Sequence, residues 1–219
     1  MRKPIQKIPY TKGEEIFNSV THIVGGGLCV AGTAVLVVMA AIYANALSVV
    51  SCSIYGATMI ILYTMSSLYH MIKPDKAKKF FRVMDHNTIF LLIAGTYTPY
   101  SLIALRGVTG WVLFGIIWGL AALGILLNSI DLERFKIPSM ICYIVMGWAI
   151  VFTLKPLIES ISTLAFVFLL LGGIAYTGGI FFYAKKSIKY FHSVWHIFVV
   201  MGTVLQYFSV LDMVLNFNK

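Results

Sequence analysis

Charge is scarce in this chain. Of its 219 residues only 11% are Asp, Glu, Lys or Arg, less than half the roughly 25% of a soluble domain. That is too little to cover a surface in water, and 59% of the residues are apolar with a mean hydropathy of +0.88. A soluble protein is excluded, and the composition is that of an integral membrane protein. Acidic residues are the rarer sign, 8 against 17 Lys and Arg, for a net charge of +9. Such an excess would suggest nucleic acid in a soluble protein. Here the basic residues fall in short connections between apolar runs, where membrane orientation accounts for them better, and no nucleic-acid partner is expected.

Other absences narrow the class further. The three cysteines, Cys29, Cys52 and Cys142, lie inside apolar runs without C-x-x-C spacing, so they read as small buried hydrophobes rather than ligands or a disulfide. There is no linker, low-complexity tract or internal repeat, so residues 1–219 form one domain. No Gly-Lys-Ser/Thr follows any glycine cluster, which excludes a phosphate loop. Residues 1–13 form a short cytoplasmic segment. The N-terminus lacks an apolar h-region close behind it and the first apolar run lacks a cleavage site, so that run is expected to be a retained span rather than a signal peptide.

What the chain does have is seven apolar runs near the roughly 20 residues that one crossing needs: 17–42, 47–71, 84–105, 110–129, 138–155, 160–184 and 190–215. They are too long and too continuous for porin-type strands. Helices satisfy every backbone group internally where lipid offers no partner. The expected fold is therefore an all-α integral membrane protein, a seven-transmembrane helix bundle. Basic residues orient it. Arg2, Lys3, Lys7 and Lys12 precede the first span; Lys73, Lys76, Lys78, Lys79 and Arg82 lie between spans two and three; Arg134 and Lys136 between four and five; and Lys185, Lys186 and Lys189 between six and seven. The other side has only Arg106, Lys155 and Lys219. The N-terminus is expected in the cytoplasm and the C-terminus outside.

Glycine and proline read as packing devices. Gly25, Gly26 and Gly27, Gly115 with Gly119, and Gly172, Gly173, Gly178 and Gly179 would let helices approach closely. Pro99 would kink the third span.

The chemistry-bearing residues converge on one membrane depth. His70 ends span two, Asp85 and His86 begin span three, and His192 and His196 begin span seven, all on the cytoplasmic side of the threading. His192 and His196 are four apart, so both rings reach one point. A lone histidine at a helix end is usually interfacial or hydrogen-bonded. Several within one leaflet would leave costly polar groups unpaired unless they share a metal. His70, His192 and His196 with one open position describe a catalytic zinc site rather than a closed structural one. The open position would take water, with Asp85 as the carboxylate that holds it and moves its proton. Ser66, one turn before His70, would bond a ligand ring or a substrate carbonyl, or else simply pack between helices. The residues between His192 and His196 include no glutamate, so this is not the H-E-x-x-H of zinc proteases.

Ser66-x-x-x-His70, Asp85 and His192-x-x-x-His196, together with Gly13 to Ile16 and Asn18 to His22, resemble the signature of the progestin and adipoQ receptor family, in particular its bacterial haemolysin III branch. The resemblance spans almost the whole chain. It implies a seven-span, N-inside protein of the bacterial cell membrane, zinc on His70, His192 and His196, Asp85 and Ser66 beside the zinc, and kinship to alkaline ceramidases. The long soluble N-terminal region of the animal receptors has no counterpart here, so hormone binding is not carried over, and no residue explains lysis.

Glu14, Asn18 and His22 fall at i, i+4 and i+8 on one face entering span one. A solvated face is the default reading, for Glu15 above all; the alternative is that one of the three joins the outer shell of the site. His86, about 100° from Asp85 on the helix, is assigned to packing. Three functions follow: a zinc-dependent hydrolase of a lipid amide or ester, with membrane lipid as its partner; a receptor or sensor with structural zinc; and a pore-forming cytolysin. The last ranks lowest because the spans carry too few polar side chains to line a channel.

Overall fold

The computed structural model describes residues 10–185 and 187–217. Most of the 1–13 segment, and Arg2, Lys3, Lys7, Lys186 and Lys219 from the basic-residue tally, lie outside them. Among the described residues there is no strand, and seven helical stretches are long and apolar enough to cross a membrane. The expected fold class holds.

The spans begin and end where local chemistry dictates. Helix α1, Lys12–Tyr43, starts five residues before the expected 17 because Thr11 and Glu14 form a capping box: Thr11 N–H donates to Glu14 Oε2 at 2.8 Å and Glu14 N–H to Thr11 Oγ1 at 3.3 Å. The added helix carries Glu14 and Glu15. Helix α2, Ala46–Met71, is capped by Asn45, whose Oδ1 accepts from Ser48 N–H at 2.9 Å. Helix α3, Asp75–Pro99, begins earlier than 84 and includes the basic run Lys76 to Arg82. Helices α4, Gly107–Ile130, and α7, Thr163–Ala184, follow expectation closely. Span five is broken: α5, Lys136–Trp148, passes through a 3-10 turn, Ala149–Thr153, into α6, Leu154–Ser160. At that break Tyr97 OH donates to the Gly147 carbonyl at 3.0 Å and accepts from Ile150 N–H at 2.8 Å, satisfying backbone groups the change of helix type releases. Helix α8 covers Phe191–Leu215.

Pro99 acts by a different route from a simple kink. It lacks an N–H and crowds the preceding turn, and the chain responds by widening into a π-helical segment, Tyr100–Leu105. That segment ends at Arg106 and Gly107, both with positive φ (49° and 50°).

Span three, Asp75–Leu105, is the centre of the bundle: 78% of its apolar stretch is buried, against 22% for the first span. It packs against α2 and α4, and helices of the bundle approach one another closely over small residues. A Cβ on Gly56 would lie 2.1 Å from Thr33 Cγ2, and one on Gly95 1.9 Å from Thr58 Oγ1. Gly25, Gly172 and Gly179 likewise abut Tyr63, Gln206 and Trp195. Gly27, Gly115, Gly119 and Gly173 differ from the packing expectation, since a Cβ there would meet nothing within 4 Å among the described residues. Large apolar side chains such as Val108, Trp111 and Phe152 are exposed around the bundle, as lipid permits and water does not. All three cysteines are free.

Candidate metal centre

Four helix ends meet at the end of the bundle that carries Lys12, Lys73 and Lys189: the start of α1, the end of α2, and the starts of α3 and α8. The entry to α8 is fixed by an unusual turn. Tyr190 is left-handed (φ 63°), and its N–H donates to Glu14 Oε1 at 2.7 Å. Glu14 thereby ties α1 to α8 and sets the register in which His192 and His196 face inward.

The three expected imidazoles do come together. His70, His192 and His196 each offer a ring nitrogen, these atoms lie within 4.8 Å of one another, and all three residues are buried. His192 Nε2 and His196 Nε2 are 3.2 Å apart. Glu15 Oε2 lies 2.6 Å from His70 Nδ1, while Glu15 Oε1 accepts from Lys78 Nζ at 2.7 Å. With Nδ1 engaged, His70 Nε2 is the nitrogen left for the centre, and it is buried with no hydrogen-bond partner among the described residues. Buried nitrogens are normally satisfied. Three buried imidazoles, one with an orphaned ring nitrogen and a carboxylate at its other nitrogen, fit a metal ion of the kind histidine prefers.

The reading of Glu15 as solvated is overturned. Its side chain is only 22% exposed, and it packs toward His70 because the early start of α1 turns it there. Glu14, Asn18 and His22 are not solvated either; all three are buried. The His22 ring lies against His196 with centroids 3.8 Å apart, and meets Tyr63 edge-on. Neither nitrogen of His22 and neither amide atom of Asn18 has a hydrogen-bond partner among the described residues. His22 is a neighbour of the triad, outside the group of three converging donors. His86, assigned to packing, places Nδ1 2.8 Å from the Arg82 carbonyl and Nε2 3.2 Å from Tyr183 OH. Tyr10 stacks on His192 at 4.9 Å; burial, with neighbouring phenols and carboxylates adding, pushes its hydroxyl well above the ordinary value, so the ring stays neutral.

Asp85, Ser66, His192 and His196 share the wall of one cavity. Asp85 Oδ2 is 3.8 Å from His86 Nδ1. From this polar end the cavity runs into the bundle between apolar side chains such as Leu62, Ile89, Leu92 and Val199 to Tyr100 and Gln206. Sequence reasoning missed Glu15, Tyr10 and Gln206. The i, i+4 spacing of the α8 histidines revealed itself locally, whereas Glu15 is 55 residues from His70 and no spacing rule joins them.

A buried three-histidine group at one end of a seven-span helical bundle defines a class, that of polytopic membrane proteins with a metal-capable centre inside the membrane. The family is named by comparison. The family model described as Haemolysin-III related matches residues 10–207, and the chain belongs to that family. It is 43% identical to Hemolysin-3 of Bacillus cereus over 92% of each chain. It is 41% identical to the Hemolysin-3 homolog of Bacillus subtilis (strain 168) over 92% of this chain and 95% of that one. A more distant likeness, 26% identity over 72% of this chain and 67% of the other, links it to the human Monocyte to macrophage differentiation factor, a member of the progestin and adipoQ receptor family. The protein is a multi-pass plasma-membrane protein.

Proposed function

We propose that this protein is a zinc-dependent hydrolase that cleaves an amide or ester bond of a membrane lipid, with its site in the cytoplasmic leaflet. One observation carries the reading: of three converging imidazoles, those of His192 and His196 line, together with the carboxylate of Asp85, one cavity that continues between apolar side chains. His70, His192 and His196 would hold the ion. When bound, zinc supplies Lewis acidity toward a carbonyl oxygen and makes water a stronger acid.

The chain's own groups do the rest. Glu15 fixes the tautomer of His70. Asp85 takes a proton from the attacking water and returns it to the departing nitrogen or oxygen. Ser66 donates a hydrogen bond to the substrate carbonyl oxygen. The cavity's apolar walls take the hydrocarbon chain, and the enclosure limits bulk water. A pore is disfavoured because the cavity is walled largely by apolar side chains.

The test is turnover of a long-chain N-acyl amide in vesicles containing purified protein, with metal content measured on the same sample. Wild type should cleave, and Asp85→Ala should hold its metal while losing about 100-fold or more in rate. Metal-loaded wild type that cleaves neither lipid amides nor lipid esters refutes hydrolysis and favours a receptor in which the metal is structural.

A further inference from the structure

The cavity has two unlike ends. One is the histidine cluster. The other, deep in the bundle, is Gln206, 4% exposed and on the same helix as His192 and His196. A buried polar side chain within a span is expensive, so its retention calls for a role. Gln206 is held on three sides. Tyr100 OH donates to its Oε1 at 3.0 Å, and its Nε2 donates to the Leu169 carbonyl at 3.0 Å. Its side chain lies against Gly172, where a Cβ would come within 2.8 Å of Nε2 and 3.0 Å of Cγ. Tyr100 is itself the first residue of the π segment that Pro99 imposes. Moving this carboxamide aside breaks both hydrogen bonds, so it is a fixed end wall.

We infer that Gln206 is the floor of the cavity and sets the length of hydrocarbon chain that the protein accepts. The inference rests on the lipid reading above and specifies it. His196 and Gln206 lie ten residues apart on α8, about 15 Å along a helix. An extended chain gains about 1.2 Å per bond, a third of the peptide repeat. A saturated chain of about twelve carbons therefore spans the distance. Each methylene up to that point leaves water or lipid for a protein wall; the next one meets the Gln206 amide.

Binding measures this independently of turnover. Saturated carboxylic acids of about eight to about twenty carbons are competed against a fluorescent fatty acid on zinc-loaded, full-length protein in detergent. Affinity should rise about fourfold per added methylene and stop rising near about twelve carbons. Gln206→Ala should move that break about two to three carbons longer. Gln206→Met, of equal length without the hydrogen bonds, should leave it in place. Gly172→Ala, which pushes Gln206 into the cavity, should move it shorter, and it carries the test if Gln206→Ala does not fold. An unchanged break in folded Gln206→Ala or Gly172→Ala overturns the length rule and leaves the lipid reading standing. No binding at any length by wild type overturns both.

Discussion

Glu15 Oε2 sits 2.6 Å from Nδ1 of His70, and this contact decides which nitrogen His70 can offer an ion. A carboxylate behind one ring nitrogen keeps the proton there and the lone pair on the other. Here that lone pair belongs to Nε2, on the side of His192 and His196. Loss of such an outer partner typically weakens metal binding about 10- to 100-fold. Glu15→Gln should show a loss in that range by chelator competition. Lys78→Ala, which removes only the partly exposed far member of the relay, should cost at most about 1 kcal/mol. Equal affinity in Glu15→Gln and wild type would remove Glu15 from the centre.

Glu14 has a different task, since it both caps α1 and receives the Tyr190 N–H. Glu14→Ala removes half of a capping box and leaves a backbone N–H without its charged acceptor. A loss of about 1–3 kcal/mol is expected from those two effects. The thermal midpoint of the purified protein should fall accordingly. A Glu14→Ala midpoint equal to that of wild type would mean that the link between α1 and α8 contributes nothing to stability.

Glycines separate into two groups with opposite expectations. Gly95→Ala drives a Cβ to 1.9 Å from Thr58 Oγ1 at the α2–α3 crossing, an overpacking that costs about 1–3 kcal/mol. Gly115→Ala adds a methyl where nothing lies within 4 Å and should change stability by no more than about 0.5 kcal/mol. Thermal unfolding in one detergent compares the pair. Equal effects would contradict the helix packing described here.

Metal removal gives a stability readout. An ion that binds only the folded protein stabilises it by about 2.7 kcal/mol at a free concentration of 100 times its dissociation constant. Zinc should raise the thermal midpoint of chelator-treated wild type. The same addition to His70→Ala should raise it far less, because one of three donors is gone.

Much of this was legible in the sequence, for reasons that can be stated residue by residue. Seven apolar runs fix a helical bundle because lipid leaves the backbone no alternative. Their order and the basic residues bring His70, Asp85 and His192 to one end of the bundle by connectivity alone. What the sequence could not reveal depends on exact helix starts and side-chain direction. The Thr11–Glu14 capping box begins α1 early and turns Glu15 from an assumed solvated position onto His70. The left-handed Tyr190 sets the register of α8. Pro99 signals a break but does not say that the break takes π form and presents Tyr100 to Gln206. Gly115 and Gly119 show the converse limit, a spacing suited to close helix packing where an added Cβ meets nothing within 4 Å among the described residues.

The central claim is that His70, His192 and His196 hold one metal ion while His22, in ring contact with His196, does not. Metal content of the purified protein by elemental analysis tests it most directly. Wild type and His22→Ala should each carry about one zinc per chain, as expected for a single three-histidine site, and His70→Ala, His192→Ala and His196→Ala should each carry almost none. Metal-free wild type under zinc-replete expression, or undiminished zinc in all three of those variants, would contradict the account.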